Sequence, residues 1–118
     1  MSTTEPTVFE LIVARAIPAE IVFENERIIA FKDIAPKAPV HLLVVPKTSD
    51  YTNVAELAEA DPILLAEIVT TAADLAAEHS NGEYRLIFNS GASVGQTVFH
   101  VHAHVLSGSF DESSLGFE

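Results

Sequence analysis

The sequence predicts an α+β domain: a mainly antiparallel five-stranded sheet with one short and one long helix. Three observations lead there. Short apolar runs separated by polar turns read as strands, and they fall into a group of three followed by a group of two. Between the groups lies a stretch whose apolar residues recur with the 3.6-residue helical period. The 118 residues, nearly half of them apolar, are the size of one domain with one core.

Residues 1–7 are polar and read as a loose tail. Thr7 to Ala16 suits a short helix, with Val8, Leu11, Ile12 and Arg15 about one turn apart, and Pro18 stops it. Ile21-Val22-Phe23 is a strand, Glu24-Asn25-Glu26 a tight polar turn, and Arg27 to Phe31 the second arm of a hairpin. Asp33 to Pro39 holds two prolines and is a loop. His41-Leu42-Leu43-Val44-Val45, bounded by Pro39 and Pro46, has the continuous apolar character of a central strand covered on both faces. Asp61 is the expected N-cap of the long helix and Pro62 its first residue. Leu64, Leu65, Ile68, Ala72, Leu75 and Ala76 form its apolar stripe, and Asn81-Gly82 ends it. Tyr84 to Phe88 is the fourth strand, Asn89 to Thr97 a loop of small residues, and Val98 to Leu106 the fifth strand.

Composition narrows the function. Seventeen acidic against six basic residues give a net charge of −11, which opposes nucleic-acid and membrane-surface binding. A small anionic ligand remains compatible, because local donors outweigh distant charge within a Debye length of about 8 Å. Cysteine is absent, so disulfides, thiolate metal sites and cysteine nucleophiles are excluded. The N-terminal residues carry no Lys or Arg before Arg15, and apolar runs fall short of the ~20 residues of a membrane helix. The expectation is a soluble cytoplasmic protein.

His100, His102 and His104 alternate along the fifth strand, so all three face one way, with Phe99, Val101, Ala103 and Val105 opposite. A structural sheet face would use Val, Ile or Thr instead. A metal site is one functional reading, but the outer two Cα atoms lie about 13 Å apart at the strand rise. One ion with bonds of about 2 Å reaches two of the rings, with Asp, Glu or His41 completing the set. The other reading is nucleophilic chemistry: an imidazole nitrogen attacks phosphorus or carbon when its second nitrogen donates a hydrogen bond that fixes the tautomer. The preceding loop, Asn89-Ser90-Gly91-Ala92-Ser93-Val94-Gly95-Gln96-Thr97, favours this reading, since small-residue loops form anion-binding concavities. Gln96 and Thr97 are candidate phosphate donors, with Asn89 facing the same place.

His100-Val101-His102-Ala103-His104-Val105-Leu106 resembles the signature of the histidine triad (HIT) family, His-x-His-x-His-x-x with x apolar. Gly95-Gln96-Thr97-Val98-Phe99 matches the family's lead-in. Ile17-Pro18-Ala19, the run Ala30 to His41 and Val44-Val45-Pro46-Lys47 resemble its Hint branch, the histidine triad nucleotide-binding proteins, over a span from about Val8 to Leu106. The resemblance implies a HIT-like fold over residues 1–118 and a homodimer whose sheets join, with residues 107–118 a loose or partner-contacting tail. It implies purine nucleotide (AMP- or GMP-type) binding without a cofactor, and hydrolysis of nucleoside 5′-phosphoramidates through a nucleotidyl-histidine at His102. It further implies that Asp33 holds the ribose hydroxyls and that Ile12, Ile17, Phe31, Ile34 and Leu43 line the base pocket. Asn89, Gly95, Thr97, His102 and His104 would surround the phosphate, and His41 would join His100 in support.

Three departures stand out. Where some relatives bind structural zinc through Cys-x-x-Cys and a later His, this chain has Thr7, Glu10 and Ser49, so that site is expected to be absent. Its tail from Ser107 to Glu118 lacks the relatives' Trp and prolines. Val94 replaces a small residue beside the phosphate loop.

Overall fold

A computed structural model describes residues 5–109. Helix α1 spans Val8–Val13. Thr7, the shared boundary of the expected tail and helix, is its N-cap: the hydroxyl accepts the Glu10 N–H at 3.1 Å and the Glu10 carboxylate accepts the Thr7 N–H at 2.7 Å. The helix ends before the expected Ala16 and without help from Pro18. Arg15 takes a left-handed φ of 62°, and the N–H of Ala16 turns back to the Leu11 carbonyl at 2.8 Å. Arg15 is held there by an ion pair with Glu24. Phe9 and Ile12 are buried, whereas Val8 is 40% exposed.

Strands β1 (Ile21–Glu24) and β2 (Ile28–Lys32) form the expected hairpin. Its turn is closed by the Asn25 carbonyl oxygen, which accepts the N–H groups of Arg27 and Ile28 at 2.9 and 2.8 Å. Strand β3 is Val40–Pro46, β4 is Arg85–Ile87 and β5 is Ala103–Ser107. The sheet order is β1-β2-β3-β5-β4 and every pairing is antiparallel. β3 is therefore the middle strand, as its apolar run predicts.

Alternation along the strands sorts residues onto two faces. Ile28, Ala30, Leu42, Val44, Ala103 and Val105 pack under α3 (Pro62–His79), against Leu64, Ile68, Ala72 and Leu75. Ile29, Phe31, Leu43 and Val45 face the other way and meet Phe9 and Ile12 of α1. Each fully buried Val, Leu, Ile or Phe among them contributes about 1.5–3 kcal/mol relative to exposure. Asp61 caps α3 as expected, accepting the Leu64 N–H at 3.0 Å. The helix stops at His79, and Gly82, at φ 92°, returns its N–H to the Ala76 carbonyl at 3.3 Å. Among the described residues no helix is long and apolar enough to cross a membrane.

Three elements differ from expectation. Helix α2, Val54–Ala60, was not foreseen, because it buries only Leu57 and so shows no stripe. Its start was legible in Asn53-x-x-Glu56, where Asn53 accepts the Glu56 N–H at 2.9 Å. The fourth strand is shorter than Tyr84 to Phe88. The fifth begins at Ala103 rather than Val98, because the stretch before it bonds to a loop instead of a strand: Val101 N–H donates to the Tyr51 carbonyl at 3.0 Å. Val101 still reaches the core under α3, while Phe99 is half exposed.

Ser107, also placed in the tail, ends β5 and donates its hydroxyl to the Glu83 carbonyl at 2.7 Å. Residues 110–118, the rest of that tail, lie outside the described residues. Gly108 follows at φ 137°, and a Cβ built there would lie 2.6 Å from Pro39 Cδ. Neither the ring nor the backbone angle accommodates a side chain. Gly108→Ala is therefore expected to destabilise the fold by about 1–3 kcal/mol, read as a lower urea midpoint at unchanged slope.

Candidate active site

The face of the sheet opposite α3 carries a cleft of about 420 Å³, walled by α1 on one side and the segment 89–98 on the other. Ile12, Ile17, Phe31, Asp33, Ile34, His41, Leu43, Asn89, Gly95, Thr97, His102 and His104 all line it. Phe9, Val98 and Lys37 line it too and were missed. Phe9 was legible as the partner of Ile12 three residues on. Its ring stands edge-on to His102 at 4.9 Å and to His100 at 5.6 Å between centroids.

Two expected site residues are not in the cleft. Gln96 is buried, its amide already bonded to Gly91, Thr52 and Val98, so it is not a phosphate donor. His100 is fully buried behind His102 and donates its Nε2–H to the Pro46 carbonyl at 2.7 Å. Its Nδ1 has no hydrogen-bond partner among the described residues. His41, expected beside His100 in a supporting role, reaches the triad through His104: its Nε2 lies 2.9 Å from His104 Nδ1. The loop's anion concavity is only partly present. The N–H groups of Val94, Gly95 and Gln96 turn inward to the carbonyls of Gly91 and Ala92.

Backbone groups fix where the histidine protons sit. The Lys37 N–H donates to His41 Nδ1 at 3.0 Å, so neutral His41 carries its proton on Nε2. That Nε2–H donates to His104 Nδ1, so His104 carries its proton on Nε2. His102 Nδ1 lies 2.8 Å from the His100 carbonyl, which accepts only, so His102 is protonated at Nδ1 and keeps its lone pair on Nε2. The rings of His102 and His104 stand 5.0 Å apart between centroids. The cleft thus holds a bare imidazole nitrogen next to an imidazole N–H.

Burial favours these neutral forms. It pushes the proton affinities of His41, His100 and His102 below the ordinary imidazole value of 6.5. His104 falls to about 4, through burial first and then through the neighbouring His102 and His41. Asp33 Oδ1 accepts the Ala35 N–H at 2.8 Å, which makes it a turn residue, and Oδ2 lies 3.4 Å from His41 Nε2.

Asp33, His41 and His104 place ligand-type atoms within 4.8 Å of one another. A metal there would need a lone pair on His41 Nε2. The Lys37 N–H holds the proton on that atom, so the donor set does not fit a cation. The Glu10 carboxyl is held below the usual carboxylate range by the Thr7 N–H and the Ser49 hydroxyl.

A family model described as "Scavenger mRNA decapping enzyme C-term binding" matches residues 6–117. An uncharacterized HIT-like protein of Synechocystis is 44% identical over 105 residues, covering 88% of this chain and 91% of that protein. The chain belongs to the histidine triad family. Adenylylsulfatase HINT1 of Arabidopsis thaliana is 35% identical over 105 residues, 87% of this chain and 71% of that one. The solved HIT family hydrolase from Clostridium thermocellum overlays with a TM-score of 0.84 at 42% identity, covering 98% of each chain. This HIT protein therefore has the fold of solved HIT hydrolases, with the triad's three rings in three different settings.

Two predictions follow from the proton placement. Ring ¹⁵N shifts at pH 7 are expected to show His102 protonated on Nδ1 and His104 on Nε2; the reverse pattern for either would contradict the assignment. The second concerns stability. A histidine whose folded-state proton affinity is lowered leaves the unfolded state as the better proton binder. Its contribution is intact above pH 6.5 and lost as pH falls through the folded value. For His104, at about 4 against 6.5, the loss reaches roughly 3 kcal/mol by pH 4. Urea unfolding is expected to show stability falling from pH 6.5 downward, ahead of any contribution from Glu10, whose carboxyl lies below 4.5. A flat profile between pH 6.5 and 5 would rule this out.

Proposed function

We propose that the protein is a purine nucleoside phosphoramidase of the Hint branch, a hydrolase that cleaves the P–N bond of nucleoside 5′-phosphoramidates through a nucleotidyl-histidine intermediate. The observation that carries this reading is the pairing of a bare His102 Nε2 with the Nε2–H of His104 in one cleft. A neutral nucleophile at pH 7 needs no metal to activate it.

The apolar side of the cleft, Ile12, Ile17, Phe31 and Leu43, receives the base, and the Asp33 carboxylate accepts the ribose hydroxyls. The phosphate then lies among Asn89, Gly95, Thr97, His102 and His104. His102 Nε2 attacks phosphorus as the P–N bond breaks, and its electron pair stays on the departing nitrogen. That nitrogen leaves as the amine, taking one proton that solvent relays through His104 Nε2, so that His104 ends the step neutral. Thr97 and Asn89 donate to the charged oxygens, the electrostatic stabilisation on which phosphoryl transfer depends. Water then attacks the nucleotidyl-His102, returns one proton to the site and releases the nucleoside monophosphate. The same reading includes a homodimer whose sheets join into one.

The Arabidopsis relative, an adenylylsulfatase, supports a second leaving group. Attack by His102 is unchanged when sulfate departs in place of an amine. Wild-type protein is therefore to be compared on adenosine 5′-phosphoramidate, adenylyl sulfate and a dinucleoside polyphosphate. The phosphoramidate is expected to give the largest kcat/KM. Preference for the sulfate or the polyphosphate would reassign the substrate. His102→Ala is expected to lower kcat by at least about 10³-fold on every substrate turned over, with no nucleotidyl-enzyme detectable by mass spectrometry. Near-wild-type turnover by this variant would overturn the mechanism.

A further inference from the structure

Gln96 stands between Gly95 and Thr97, two residues that line the cleft, yet it is only 3% exposed and turned away from it. Its side-chain amide makes three hydrogen bonds. Oε1 accepts the Gly91 N–H at 2.8 Å, and Nε2 donates to the Thr52 carbonyl at 2.6 Å and the Val98 carbonyl at 3.1 Å. Its own backbone N–H donates to the Gly91 carbonyl at 3.1 Å. One residue therefore grips both polar groups of Gly91 and ties the loop to Thr52, beside the start of α2. The loop needs such a grip. Gly91 and Gly95 sit at φ 108° and 101°, and glycine left to itself spreads over many conformations.

We propose that Gln96 is a positioning residue that pre-forms the anion side of the cleft, holding Thr97 and the bare Cα of Gly95 where a phosphoryl group meets them. This rests on the nucleotide reading above and adds to it the source of the loop's shape. Without the clamp, ordering the loop falls to the ligand, and only ligands carrying a phosphate bear that load. Base and ribose are met by α1, β2 and the loop at Asp33, which Gln96 does not touch.

The test is calorimetric titration of wild type, Gln96→Met and Gln96→Glu with AMP and with adenosine. Adenosine affinity is expected to stay within about twofold in all three. AMP affinity is expected to fall about tenfold in Gln96→Met. It falls further in Gln96→Glu, whose carboxylate keeps the Gly91 acceptor but faces two carbonyls. Equal AMP affinities, or a parallel loss for AMP and adenosine, overturn the proposal. Failure of wild type to bind AMP would overturn the nucleotide reading itself, a distinct outcome. Should neither variant fold, amide exchange on free wild type decides. Gly91 is expected to be protected like the strand amides, and fast exchange there overturns the proposal.

Discussion

The hydrogen bond from the Lys37 backbone N–H to His41 Nδ1 sets the chemistry of the whole cleft. A main-chain N–H has one role and cannot reverse it, so the direction of every later bond follows: His41 donates, His104 accepts, and the His104 proton is left on Nε2. The His100 carbonyl imposes the complementary choice on His102. The site is ordered by backbone groups belonging to a proline-rich loop and to the triad stretch itself. Its tautomers are therefore as durable as the fold.

Those bonds also explain how four imidazoles survive in an apolar setting. A buried polar group is tolerated when its hydrogen bonds are met. His100, His102 and His41 each meet a backbone partner. Neutrality comes at no electrostatic loss, because burial already opposes charge. A chain with a net charge of −11 can thus present an anion with a cleft whose histidines carry no charge of either sign.

Much of this was legible in the sequence. The apolar run at β3, the cap at Asp61 and the alternating histidines each state their structure locally, and the first two were found where expected. The common facing of His100, His102 and His104 also survives, although only His104 lies within a strand. What escaped detection depends on distant partners. Residues 98–102 look like strand, yet the carbonyls of Pro46, Tyr51 and Thr52 hold this neighbourhood instead. Gln96 has the chemistry of a ligand donor, and only the fold reveals that its bonds are already committed. His41 and His104 are far apart in sequence, so nothing local announces their pairing. α2 hides because a helix with one buried residue has no period to show.

The lid over this arrangement is small. α1 runs from Val8 to Val13, and its Phe9 covers both His100 and His102. A helix of this length has little stability of its own and relies on its cap and its packing. Lifting it would return the two rings to water and to their ordinary appetite for protons. Each proton captured by an uncovered ring would then act as a wedge, because a charged imidazole does not pack back under Phe9.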